Sequence, residues 1–179
     1  MAIQERLVEY DCDGTVCEGY LAWDDAAGPA PGVLVSHAWG GRSAFEEGKA
    51  RDLAARGYVG FALDVYGKGR RGSNADENGA LMTPFIEDRA KLRRHLESAL
   101  ATLREQPEVD ADRCAGMGYC FGGLCMLDLA RSGALTHAHG GVIEVQTSPQ
   151  GNTFVVRLPR MESSQISGRL APEDMAALR

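Results

Sequence analysis

Cys114-Ala115-Gly116-Met117-Gly118-Tyr119-Cys120-Phe121-Gly122-Gly123-Leu124 runs from a short apolar stretch through a glycine-flanked cysteine into a second apolar stretch, Leu124 to Ser132, which Gly133 ends. The pattern predicts a buried strand, a sharp turn and a helix. Gly-x-Cys-x-Gly between strand and helix is the spacing of a nucleophile elbow with Cys in the Ser position. Glycine on either side leaves room for the close backbone approach that such a strained turn needs. Cys120 would then stand exposed at the C-terminal edge of the sheet. The helix N-terminus beneath it would favour thiolate, and the amide of Phe121 would face a developing oxyanion. The competing reading, a tight glycine turn around a structural cysteine, loses weight because the motif sits within a strand–helix alternation. Cys114, inside the strand, and Cys125, one turn into the helix, read as core.

Toward the N-terminus the alternation continues. Leu7 to Tyr10 and Thr15 to Leu21 flank the turn signal Asp13-Gly14 and predict a β-hairpin at a sheet edge. After the break Gly28-Pro29-Ala30-Pro31-Gly32, the run Val33-Leu34-Val35 reads as a strand buried on both faces. Ser43 and Glu46 have capping-box spacing, and the helix they open is expected to run to Gly57. Tyr58 to Leu63 is the next expected strand, Gly67 to Gly79 a loop, and Pro84 to Arg104 a helix with Phe85, Leu92, Leu96, Ala99, Leu100 and Leu103 on one face. This order predicts an α/β fold: a mostly parallel sheet with helices on both faces.

The 179 residues suit one domain, and 44% hydrophobic with 25% charged residues is a globular composition. A net charge of −6 argues against a nucleic-acid surface; Lys68, Arg70 and Arg71 form the one short basic cluster. No apolar run reaches membrane-spanning length and the first residues lack the apolar core of a secretion signal, so a cytoplasmic protein is expected. The five cysteines form no Cys-x-x-Cys pair, which suggests reduced thiols and neither a disulfide framework nor a metal site.

Four stretches make residues 3–134 resemble the dienelactone hydrolase family, a cysteine-using branch of the α/β hydrolases. They are Gly32-Val33-Leu34-Val35-Ser36-His37-Ala38-Trp39-Gly40-Gly41, Ala54-Ala55-Arg56-Gly57-Tyr58-Val59, Leu63-Asp64-Val65-Tyr66-Gly67 and Gly118-Tyr119-Cys120-Phe121-Gly122-Gly123-Leu124. The resemblance implies hydrolysis of small esters or lactones through an acyl-enzyme on Cys120, with no metal or organic cofactor. It also implies a second oxyanion amide from Ala38 or Trp39. The family often places a Glu near the cysteine in that loop, where this chain has His37 and Ala38, so His37 is a candidate base. Arg70 and Arg71 lie in a loop suited to gripping substrate, although they match no clear family arginine.

In α/β hydrolases the nucleophile is followed in sequence by the acid and then the histidine. Residues 121–179 are roughly half of what the family would place there, so the resemblance implies a truncated hydrolase core over 1–134 and a foreign tail over 135–179. Residues 139–159 resemble the terminal hairpin of the ATP-binding domain of sensor histidine kinases, without that family's nucleotide-holding elements. Two strands, Ile143 to Thr147 and Thr153 to Leu158, are expected there. Val142 to Val145 could fill the parallel slot after the elbow helix. His137 and His139 would then sit about 15 Å from Cys120, at ~3.3 Å per residue over five residues. Either histidine would serve Cys120 more readily from a partner chain, and the truncated edge predicts a homodimer or higher homo-oligomer by tail exchange. Asp128, Asp174 and His95 read as solvated. Weak hydrolysis is the expectation; its alternative is a catalytically silent remnant whose tail drives assembly.

Overall fold

The computed structural model describes residues 2–26, 28–134, 142–148 and 151–157, the last two stretches as backbone. The first hairpin forms where the turn signal stands. Strands β1 (Ile3–Cys12) and β2 (Thr15–Asp24) pair antiparallel, with Cys12 opposite Thr15. The two-residue loop between them is left-handed at both positions, φ 55° at Asp13 and 80° at Gly14, which matches the strand twist.

Strand β3 (Ala30–Ser36) is buried nearly throughout. Helix α1 (Ala44–Ala54) starts on the Ser43–Glu46 capping box, and Gly57 turns the chain out at φ 82°. Strand β4 (Val59–Ala62) follows. Where a loop to Gly79 and one helix from Pro84 were expected, there are two helices, α2 (Ala75–Glu87) and α3 (Arg89–Arg104). Asn74 caps the first. Asp88 breaks the backbone and caps the second, its carboxylate accepting the Lys91 N–H at 2.8 Å. Strand β5 (Val109–Tyr119) then leads into α4 (Phe121–Arg131), which begins three residues earlier than the apolar pattern indicates.

Seven strands form one sheet in the order β1-β2-β4-β3-β5-β7-β6, where β6 is Val142–Ser148 and β7 is Gly151–Arg157. The centre, β4-β3-β5, is parallel, and antiparallel pairs flank it on both sides. The strand after the elbow helix is not the expected parallel one. β7 pairs with β5 antiparallel over Met117↔Val155, Gly118↔Phe154 and Tyr119↔Thr153, and β6 lies outside it. A hairpin presents its two strands in opposite directions, so the second reached β5 and the first became the sheet edge.

Helices cover both faces of the sheet. Alternation along β2 and β4 sends Tyr20, Ala22 and Ala62 toward Ala50 and Ala54 of α1. Leu21 and Phe61 face the larger core, with Leu92, Leu96, Ala99, Leu100 and Leu103 of α3 and Cys125, Met126 and Leu129 of α4. Among the described residues no helix is long and apolar enough to cross a membrane.

Candidate active site

Cys120 joins β5 to α4 with φ 54° and ψ −114°, a conformation that a residue with a side chain rarely adopts. Its neighbours explain how the turn can be made. A Cβ on Gly118 would stand 2.1 Å from the Gly122 carbonyl oxygen, and one on Gly122 would stand 2.3 Å from that of Ser36. Both obstacles are backbone, so neither can rotate away. The strain and the two close approaches define the elbow that the spacing predicts. Cys120 is exposed, and its side chain makes no cap bond to the helix amides beneath it.

The close contact of Gly122 with Ser36 and His37 seats the elbow against the end of β3. Ala38 and Trp39 follow on that same loop. The Ala38 carbonyl accepts from Gly41 N–H at 3.2 Å, and the Trp39 carbonyl accepts from Tyr66 Oη at 2.9 Å, which leaves both amides on the fixed loop beside the elbow. Phe121 is buried and stacks on Tyr66, with ring centroids 5.9 Å apart. Phe45, 51% exposed, meets the ring of Tyr119, the residue before Cys120, edge-on at 4.9 Å. Sequence reasoning missed Phe45 and Tyr119; the aromatic just before Cys120 was the available signal.

His37 is not an available base. It is fully buried, Nδ1–H donates to its neighbour's carbonyl on Ala38 at 2.6 Å, and Nε2 accepts the Val65 N–H at 3.1 Å. Both nitrogens are therefore committed to backbone, and burial lowers the pKa. His95 is not solvated either. It lies 2% exposed in the core, with Nδ1–H on the Val65 carbonyl at 2.9 Å. Solvent does not reach it because the β1–β2 hairpin covers that side of α3. His137, His139 and Asp174 lie outside the described residues.

Asp128 is an internal tie rather than a solvated acid. Its carboxylate accepts from Arg89 Nε at 2.8 Å and joins α4 to α3. Arg70 is exposed and donates to the Tyr66 carbonyl at 3.1 Å; Arg71 lies 3.8 Å from Glu47. Arg71 shares a surface hollow with Glu5, Arg6, Tyr20 and Arg42, none of them at the elbow.

Comparison with known proteins agrees with this geometry. The dienelactone hydrolase family model matches residues 17–154. The chain belongs to the dienelactone hydrolase family. It is 34% identical over 122 residues to the "Putative carboxymethylenebutenolidase" of Aquifex aeolicus (strain VF5), covering 66% of this chain and 52% of that protein. Among solved structures it resembles m3DLH, with a TM-score of 0.73 and 40% identity over 75% of this chain and 57% of the other. It also resembles the dienelactone hydrolase-like promiscuous phosphotriesterase P91 from metagenomic libraries, with a TM-score of 0.72 and 37% identity over 75% and 56%. The chain spans about half the length of the curated relatives it matches.

Proposed function

We propose that this chain is a hydrolase of small esters or lactones that acts through a thioester on Cys120. The observation that carries the reading is the exposed Cys120 held at φ 54° between two glycines that admit no Cβ. The Cys120 thiolate attacks the carbonyl carbon, and the oxyanion is met by the Phe121 amide and one from Ala38 or Trp39. Collapse forms the thioester and expels the alkoxide, which takes a proton from water. A second water then releases the acid and restores the thiol. The family resemblance supports this order of steps, and the relative named for a butenolide supports a small lactone as substrate.

Turnover in this reading is slow. Both described histidines are bound to Val65, so the water of the second step has neither of them as base. An oxyanion hole with a nucleophile retains about 10³-fold or more over water without a full triad. Incubation with p-nitrophenyl acetate is expected to release about one nitrophenolate per chain in a burst and then continue slowly. Equal time courses for the parent and Cys120→Ala overturn the proposal.

The second reading, a module that assembles through its tail, has one observation in its favour. β6 ends the sheet, so its outer backbone edge is unpaired by any described strand. Such an edge is a template for a second chain.

A further inference from the structure

Away from Cys120, two thiols and an imidazole converge in the core. Cys12 and Cys17 bracket the turn of the first hairpin. Cys12 opposes Thr15 and Cys17 opposes Tyr10, so the two stand diagonally on one face. Helix α3 crosses that face and brings His95 to them. Cys12 Sγ, Cys17 Sγ and a ring nitrogen of His95 lie within 4.8 Å of one another, with both cysteines fully buried. We propose that Cys12, Cys17 and His95 form a binding site for a zinc ion, independent of the hydrolytic centre.

Three features support the assignment. His95 Nδ1–H is fixed on the Val65 carbonyl at 2.9 Å, which makes Nε2 the lone-pair nitrogen; Nε2 is buried, accepts no well-formed hydrogen bond among the described residues, and has the Cys17 thiol, a weak donor, as the polar group beside it. A buried acceptor held only by a weak thiol donor is under-satisfied, and a cation would satisfy it. A histidine with one nitrogen on a backbone carbonyl and the other free is also the usual posture of a metal ligand.

The donor types are selective. Two sulfurs and one imidazole suit a soft d10 ion, whereas magnesium and calcium take oxygen. At zinc–sulfur and zinc–nitrogen lengths of about 2.3 and 2.0 Å, tetrahedral donors stand roughly 3.5–3.8 Å apart, within reach of small side-chain rotations from the present cluster.

Charge balances as well. Each thiol loses its proton to solvent on binding, and the neutral imidazole gives a lone pair. Two thiolates cancel the dication, so the occupied site is neutral, as a buried site requires. The fourth tetrahedral position is left to an exogenous ligand. Bound metal would tie the hairpin to α3. Ring contacts from His95 through Phe85 and Tyr66 to Phe121 link this place to the elbow.

The test uses the full chain with Cys120→Ala, which removes the exposed thiol. After incubation with zinc and gel filtration, about one zinc per chain is expected, with release of about two protons. Cobalt in its place is expected to give a thiolate-to-cobalt charge-transfer band, and zinc to raise Tm. Adding Cys17→Ala or His95→Gln is expected to lower the bound metal at least about tenfold. In mild denaturant, zinc is expected to shield Cys12 and Cys17 from alkylation while Cys114 and Cys125 react. Metal below about a tenth of an equivalent overturns the proposal, as does unshielded alkylation, whether or not the variants fold. Oxidation of Cys12 and Cys17 to a disulfide that zinc does not block also overturns it, in favour of a redox pair.

Discussion

His37 and His95 hold opposite ends of the same residue: His37 Nε2 accepts the N–H of Val65, and His95 Nδ1–H donates to its carbonyl. Val65 lies just after β4, so the two rings fix the loop that carries Tyr66, whose hydroxyl in turn holds the Trp39 carbonyl. The loops around the elbow are thus positioned by histidines that sequence reading would sooner assign to proton transfer or to solvent.

This clasp makes stability depend on pH. A proton on His37 Nε2 would face the Val65 N–H, and burial lowers the folded-state pKa below the ordinary value. The unfolded chain then binds more protons, so the contribution is complete above about pH 6.5 and is lost as pH falls from there toward the folded pKa. Urea midpoints measured between pH 8 and 5 are expected to be flat and then decline. His37→Gln should flatten the His37 part of the decline; an unchanged slope would contradict the assignment.

Gly118→Ala and Gly122→Ala are each expected to cost roughly 3 kcal/mol, since the new methyl meets backbone at 2.1 and 2.3 Å. Gly48→Ala is the internal control. Gly48 lies inside α1 with open space around its Cβ position, so the change should stabilise by about 0.5–1 kcal/mol. Denaturation midpoints decide, and equal effects at all three positions would refute the elbow geometry.

What the sequence shows clearly is what local rules govern. The Asp13-Gly14 hairpin, the Ser43–Glu46 box, the strand at Val33 and the elbow at Cys120 each depend on residues a few positions apart, and all lie where the pattern puts them. The errors have a different source. His95 and Asp128 look solvated on their own helices, and they meet the hairpin and Arg89 only after distant segments pack. Strand direction beside β5 was misread because a hairpin offers either of its strands to an edge.

Thiol accessibility separates the five cysteines. Cys120 is exposed and the other four are buried, with burial pushing the Cys125 thiol up to about 12 and raising Cys114. Iodoacetamide at neutral pH should therefore add one label to the native chain, at Cys120, by intact mass and peptide mapping. Labels at Cys12 or Cys17 without denaturant would contradict the packing of the hairpin on α3.

Asp128→Asn is expected to cost about 1 kcal/mol by loosening the α3–α4 tie to half-exposed Arg89 and to leave the nitrophenolate burst unchanged. A fall in burst rate without loss of stability would instead place Asp128 in the chemistry.

The second reading, assembly through the tail, is favoured by how little backbone secures the β6–β7 hairpin. β7 meets β5 at three residue pairs, while β6 and β7 pair with each other over seven, so the hairpin is internally stronger than its attachment. Such a unit can leave one β5 and dock on another at small net cost, because the same ladder is re-formed. Light scattering from one to a hundred micromolar is expected to show the mass of two chains, and mixing labelled with unlabelled protein should give mixed dimers by native mass spectrometry. Removal of residues 138–179 should abolish the dimer. A mass of one chain at every concentration would refute the exchange.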